Sequence, residues 1–285
     1  MRCPVCSSDA IEWAHYDDVH LMKCIHCGHC FTDETRLESV ENYESDYYDQ
    51  QHKNWFSNPQ IELFEQIAKF VERKKPNAKV IDIGCGKGAL LRYLRTRLPK
   101  VELTGIDLSY NAPLDGIEFI QADSMNYTFE HTYDVIINLA VIEHIYDVRK
   151  FSFMMYHLCN ENGWCIINTV NQHSLLYQFA NWFNLLGFDL PLKSCYQRHH
   201  LNHFSNISLR LLLESTGFET VRTHFHNSSI KSVDFPNLNL VYLLIIRTGV
   251  WGLFILGKIT KRTYMQTVFV QKSKGTIQRS IIKSS

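Results

Sequence analysis

Val80-Ile-Asp-Ile-Gly-Cys-Gly-Lys-Gly88 decides the fold. A short apolar run, 79–83, ends in glycines at 84, 86 and 88, and an amphipathic pattern of helical period follows at once over 89–98. Strand, glycine turn and helix in that order open an α/β sheet, whose ligands bind beyond the carboxyl ends of the strands. Glycine suits the turn because a Cβ would hold a ligand off the backbone. The spacing is G-x-G-x-G, with Asp82 two residues ahead of the first glycine. An acid there suits a ligand bearing an ammonium group, whereas G-x-G-x-x-G serves a pyrophosphate.

Strands and helices alternate on both sides of this loop. Before it, Ile61, Phe64, Ile67, Ala68 and Val71 mark one face of a helix, which Pro76 and Asn77 close. After it, strands are expected at 101–106, 117–120, 133–139, 164–170, 218–225 and 264–271. Helices are expected at about 147–159 and 208–215, with Gly217 ending the second. The pattern predicts an α/β protein with a mostly parallel sheet covered on both faces. Two excursions interrupt it, at about 173–206 and 227–263. The second is far longer than the tight turn an antiparallel pair needs, so it has work of its own.

Acids end the next two strands. Asp107, in TGIDLS, can accept both hydroxyl protons of a ribose. Asp123, in QADSM, is placed to accept from an adenine amino group, and Asn138 ends the fourth strand ahead of LAVIEHI. In order and spacing these motifs resemble those of class I S-adenosylmethionine-dependent methyltransferases, over roughly 61–270. VIEH and HHLNHFSNISLRLLLESTGF look closest to the branch with ubiquinone-biosynthesis and sugar O-methyltransferases. The resemblance implies a Rossmann-like seven-stranded sheet whose last strand is antiparallel. It implies that Asp82 and the loop Gly84, Cys85, Gly86 and Gly88 hold the methionine part of the cofactor. Asp107 and Leu108 would hold the ribose, Asp123 and Ser124 the adenine, and Asn138 and Leu139 would flank the sulfonium. The segment after Asp107, LSYNAPLDG, is shorter than the family's, so a shortened or missing helix is expected there.

The first 33 residues form a separate unit. Cys3-Pro-Val-Cys6 and Cys24-Ile-His-Cys27 make a C-x2-C…C-x2-C pair, which supplies four thiolates in the tetrahedral set zinc prefers. Four thiolates leave no open position, so the zinc is read as structural. A piece this small needs a metal in place of a core. His26, His29 and Cys30 are satellites. Residues 34–60 read as a linker or cap, in which Tyr47 and Tyr48 either close over the cofactor or are surface aromatics. The methyltransferase domain is expected over 61–285.

Composition bounds the rest. The 285 residues are 45% hydrophobic with zero formal net charge, enough for one full core and an appendage. The start, MRCPVC, has no apolar signal core, so a cytoplasmic, reducing compartment is expected. Neutral charge and an acidic cap (Glu38, Glu41, Glu44, Asp46, Asp49) argue against nucleic acid as the partner. After Asp234 the chain has basic residues only, including Lys258, Lys261 and Arg262. Within that end, 240–246 and 250–256 are apolar stretches parted by Arg247, Thr248 and Gly249. Residues 238–262 fit a segment lying in the inner face of a membrane, with a lid or dimer contact as the rival reading.

Methyl transfer needs alignment and, for a hydroxyl acceptor, a base. His144 in VIEHI follows the fourth strand and faces the site; with Glu143 it could equally orient the loop. His199, His200 and His203 lie close together in QRHHLNHFS. His200 or His203 is the expected base or acceptor ligand. A metal site is the rival there, but the spacing matches no common motif. Three functions stand: methylation of a small acceptor, with a hydroxyl of a sugar, glycolipid or quinone-like compound first; RNA methylation gripped by the zinc unit; and a non-catalytic S-adenosylmethionine-binding or zinc scaffold.

Overall fold

The computed structural model describes residues 1–37, 54, 57–109, 115–233 and 239–273. A seven-stranded sheet carries the fold. Its strands are β4 (Lys79–Ile83), β5 (Glu102–Asp107), β6 (Glu118–Gln121), β7 (Tyr133–Leu139), β8 (Cys159–Val170), β10 (Phe218–His226) and β11 (Met265–Lys272). Their order is β10-β11-β8-β7-β4-β5-β6, and β11 runs antiparallel to both neighbours while β4 to β8 pair in parallel. This is the Rossmann-like sheet that the motifs imply.

Alternating side chains bury both faces. Val80, Val135, Ile137, Trp164, Ile166 and Phe269 pack in one cluster with α1 (Ile61–Lys74) and α2 (Ala89–Arg97). Their sequence neighbours Ile81, Ile136, Cys165, Ile167 and Val268 pack on the other face with α3 (Val148–Leu158) and α6 (Asn206–Ser215). The period of two produces this division. On α1 the buried stripe is Leu63, Phe64, Ile67, Ala68, Phe70 and Val71. Ile61, expected on that stripe, is half exposed at the helix's first residue.

The cysteine-rich unit is a small sheet of its own: β1 (Ala10–Tyr16), β2 (Val19–Cys24) and β3 (Cys30–Thr32), all antiparallel. It does not end there. β3 pairs with a two-residue strand, β9 (Asn202–His203), from the first excursion, so Cys30 faces His203 and Phe31 faces Asn202. Thr32 adds two bonds, from its N–H to the Leu201 carbonyl (2.9 Å) and from Oγ1 to the His200 carbonyl (3.2 Å). His29 is fully buried between the parts, 3.1 Å from Asn202 Oδ1 and 3.3 Å from Ser208 Oγ. Arg149 of α3 donates to the Pro4 and Val5 carbonyls of the first knuckle. Cys3, Val5, Cys24 and Phe31 share one apolar cluster with Ile81, Phe151 and Phe204 of the large domain.

Both excursions carry regular elements among their described residues. The first holds α4 (Leu175–Leu185), α5 (Leu190–Cys195) and β9. The second holds one continuous helix, α7 (Leu240–Thr260). The helix runs on through Thr248, whose hydroxyl returns to the Leu244 carbonyl (2.8 Å). A mid-helix Gly249 costs only about 1 kcal/mol. Tyr47, Tyr48 and the acidic cap lie outside the described residues, as does most of the shortened segment after Asp107.

Phe204 closes the seam. It is fully buried, its ring centroid is 4.8 Å from that of His29, and its carbonyl accepts from Gln172 N–H and Gln266 Nε2. Phe204→Ala is expected to lower unfolding free energy by about 3–5 kcal/mol, read as a fall in the urea midpoint of the full chain.

Candidate active site

The glycine loop is shaped by what lies over it. Gly84 has φ +71, and a Cβ there would stand 2.4 Å from Val141 Cγ2. Val141 follows Ala140, which itself holds the left-handed φ of 55 at the end of β7. A non-glycine residue there is uncommon and marks a backbone held by its surroundings; the Ala140 N–H is tied to the Asn168 carbonyl at 2.9 Å. Gly88, φ 72, begins α2. The Cys85 side chain turns down toward β5, where a Cβ on Gly105 would meet its Sγ at 2.8 Å. What Cys85 and Gly88 give the loop is its shape.

Two acids sit under the loop. Asp107 Oδ2 accepts from Gly86 N–H at 2.8 Å, and Oδ1 accepts from the Ser109 N–H (2.9 Å) and hydroxyl (2.6 Å). Asp82 is buried, and its Oδ1 has no hydrogen-bond partner among the described residues. Burial, then the Asp107 charge, pushes the Asp82 carboxyl up to about 8. An orphaned buried carboxylate oxygen beside a cradle that a Cβ would fill fits the ammonium end of S-adenosylmethionine.

A cavity of about 850 Å³ opens from this loop. Gly84, Gly86, Asp107, Leu108, Asp123, Ser124 and Leu139 line it at the sheet end. Asp123 caps the turn after β6 by accepting from Met125 N–H (2.9 Å) and Asn126 Nδ2 (2.5 Å). Asn138 is not a lining residue. It is buried and donates from Nδ2 to the Ile83 carbonyl (3.2 Å), tying β7 to β4.

His144 and His200 both line the cavity, although 56 positions separate them. Asn202 Nδ2 donates to the Ile145 carbonyl at 2.7 Å and so fastens the VIEHI loop to β9. His203, expected as a base, does not reach the cavity. On β9 it faces Cys30, and its fully buried ring stacks edge-on to Tyr196 at 4.6 Å. Burial takes its pKa down to about 3. Its neighbour in the turn, His199, stands against His144 instead, with ring centroids 5.3 Å apart. Glu143 also lines the cavity; it accepts from Thr169 Oγ1 (2.8 Å), and burial raises its carboxyl to about 7. The sequence offered Glu143 only as a loop anchor. The far wall is apolar, made by Phe179, Phe183, Ile246, Val250 and Leu253 from α4 and α7, the place the lid reading gave the second excursion.

The four cysteines converge. Cys3 Sγ lies 3.7 Å from Cys27 Sγ, and Cys6 Sγ 3.4 Å from Cys24 Sγ. Four sulfurs at about 2.3 Å from a tetrahedral zinc stand roughly 3.8 Å apart, so the set is close to that size. Val5 N–H points at Cys3 Sγ, and the His26 and Cys27 N–H groups at Cys24 Sγ, each at 3.4 Å. These donors favour thiolate.

Residues 51–223 match the model of a methyltransferase domain family. The chain belongs to this methyltransferase domain family. It is 27% identical over 166 residues to the ubiquinone biosynthesis O-methyltransferase of Rickettsia prowazekii, covering 50% of this chain and 65% of that protein. It is 22% identical over 151 residues to the malonyl-[acyl-carrier protein] O-methyltransferase of Bacillus anthracis, covering 49% and 54%. The chain thus spans under two thirds of these relatives' lengths. Among solved structures, Haemonchus contortus phosphoethanolamine N-methyltransferase 2, in complex with S-adenosylmethionine, shares the fold with TM-score 0.56 at 14% identity, over 86% of this chain and 62% of that one. The domain is an S-adenosylmethionine-dependent methyltransferase domain.

The raised Asp82 carboxyl has consequences. Its folded value lies above the ordinary one of about 4, so its proton stabilises the folded chain below pH 4. That contribution is lost as pH climbs from about 4 to about 8. A ligand ammonium reverses the balance and drives the proton off. At pH 7, calorimetry in buffers of different ionisation heat should show proton release when S-adenosylmethionine binds, and Asp82→Asn should abolish that release. Buffer-independent heats for the unaltered chain would refute the role given to Asp82.

Proposed function

We propose that this protein is an S-adenosylmethionine-dependent O-methyltransferase acting on a hydroxyl of an apolar acceptor, quinone-like or lipid-linked, taken from a membrane surface. The observation that carries this reading is the cavity's apolar wall and the helix that builds it. α7 turns Ile246, Val250 and Leu253 toward the cavity, yet Leu240, Leu244, Trp251 and Ile259 on its other sides are exposed by more than half. Only Phe254 and Gly257 of the helix are buried. Its 21 residues are long and apolar enough to cross a membrane by length and composition. Its carboxyl end is instead sewn into the fold: Asn227 Nδ2 donates to the Phe254 carbonyl (2.8 Å), and Phe254 packs on Tyr264. Leu185, the last residue of α4, and Phe188 just beyond it are exposed apolar side chains as well. A patch of this extent with Lys258, Lys261 and Arg262 at one end suits lying in an anionic membrane interface, at the inner face of a membrane.

S-adenosylmethionine, when bound, supplies a methyl group already activated on a sulfonium. Asp82 and the 84–88 loop would hold its methionine part, Asp107 and Leu108 the ribose, and Asp123 and Ser124 the adenine. Leu139, Ala140 and Val141 form the floor beside it. The chain's own tasks are then alignment of the acceptor, exclusion of water and removal of the hydroxyl proton. The aromatic and aliphatic wall serves the first two. His144 and His200 line the part of the cavity from which that proton would leave.

We further propose that Cys3, Cys6, Cys24 and Cys27 hold a structural zinc, since a full thiolate set leaves no position for substrate. Its service is to fix β3, and through β3 the loop before β9.

Vesicle flotation tests the membrane reading. The full chain should float with phosphatidylglycerol-containing vesicles. The double variant Leu244→Glu/Trp251→Glu should lose at least about tenfold in bound fraction, given the transfer energy of two large apolar side chains, with S-adenosylmethionine affinity unchanged. With labelled cofactor, the label should enter the organic-extractable fraction of a membrane extract. A chain that stays unbound at every anionic-lipid content, with label only in the aqueous fraction, contradicts the proposal.

A further inference from the structure

We infer that His144, His199 and His200 form a second metal centre, which holds a divalent transition ion at the edge of the cavity with a coordination position open to the acceptor oxygen. The acceptor half of this inference rests on the hydroxyl-methylation reading above; the metal half does not.

The three residues come from two segments. His144 ends the 3-10 turn Ile142–His144 after β7. His199 and His200 sit in the turn before β9, closed by His200 N–H on the Gln197 carbonyl (2.9 Å). One ring nitrogen from each lies within 4.8 Å of the others. The ring centroids of His200 stand 4.8 Å from His144 and 4.7 Å from His199. Zinc–imidazole bonds of 2.0–2.1 Å in a tetrahedral set put the nitrogens roughly 3.3 Å apart. Binding an ion would draw the present set inward toward that spacing.

The tautomer of His144 is set for ligation. Its Nδ1 is 2.9 Å from the His199 carbonyl oxygen. A carbonyl only accepts, so Nδ1 carries the hydrogen, and in the neutral ring Nε2 carries the lone pair. Metal-binding histidines are oriented by this kind of outer bond. The turn is held as firmly: the His200 carbonyl accepts from Thr32 Oγ1 and the Leu201 carbonyl from Thr32 N–H, both on the cysteine-rich sheet.

Three imidazoles suit zinc, cobalt, nickel, copper or iron rather than magnesium or calcium. Three protein ligands leave the fourth tetrahedral position open, the pattern of catalytic rather than structural sites. His144 and His200 line the cavity, so that position faces the acceptor. An acceptor hydroxyl bound through oxygen loses its O–H bond, with the proton passing to water. The oxygen pair then forms the new C–O bond as the C–S pair returns to sulfur. The ion changes no oxidation state; it lowers the hydroxyl's pKa and holds the nucleophile in line. One proton transfer needs a single imidazole, and three with a nitrogen each within 4.8 Å of the others are better explained by an ion.

Cobalt(II) titration of the metal-stripped full chain tests this. Two equivalents are expected. The cysteine set gives a thiolate-to-cobalt charge-transfer band, and the histidine set gives weak d–d absorption without one. His199→Ala and His200→Ala should keep the first and weaken the second by more than the roughly 10–100-fold that loss of an outer partner costs. His144→Gln, whose amide can still donate to the His199 carbonyl, serves as a third variant if an alanine unfolds the turn. The thiolate band and S-adenosylmethionine binding report folding throughout. A single equivalent, or a second one that survives all three variants, overturns the site. A second equivalent that is lost as described establishes it even where no hydroxyl acceptor takes label, an outcome that would count against the acceptor reading alone.

Discussion

The pairing of Cys30–Thr32 with Asn202–His203 is the contact on which the site depends. Two residues of strand are too short to stand alone, and on one side they end in a turn that bears His199 and His200. Their support comes from the partner strand, from Thr32 and from buried His29, all in the cysteine-rich sheet. From β9 the connection continues through Asn202 to the Ile145 carbonyl, and so to the loop carrying Glu143 and His144. The cavity's polar edge is therefore braced by an element that contributes no side chain to its lining. The zinc proposed for the four thiolates would give such a brace the stiffness that a thirty-residue sheet cannot draw from a core.

The cofactor end works by a different constraint. There the backbone is held in uncommon conformations, left-handed at Gly84, Gly86, Gly88 and Ala140, with Val141 pressed over Gly84. Burial, and after it the charge of Asp107, raises the Asp82 carboxyl to about 8 and so favours its protonated form near neutrality. The site is thus prepared for a cation and costs the folded chain something without one. Between these two ends the apolar wall of α4 and α7 defines what kind of acceptor can enter.

The sheet was legible because its signals are local. VIDI, TGID and DVIINL are apolar runs bounded by glycines and acids, and alternation assigns their faces. The glycine loop and its two acids were legible for the same reason. The seam was not, because two-residue β9 has no period and its partner lies about 170 positions away. The histidines show the same limit. Sequence placed His203 with His200, but strand alternation turns His203 toward Tyr196, while the turn swings His199 to His144. In the second excursion Arg247, Thr248 and Gly249 read as a break because they interrupt the apolar run, yet the backbone stays helical through them.

The central claim is that the cysteine-rich sheet holds the histidine turn in place. Hydrogen exchange by mass spectrometry on the full chain, compared with the double variant Cys24→Ser/Cys27→Ser, measures it and leaves the histidines themselves unaltered. The account predicts faster exchange over 199–204 and 142–146 in the variant, with β5, Glu102–Asp107, unchanged. Protection over 199–204 equal to that of the unaltered chain, once the cysteine sheet has lost its own protection, would contradict it.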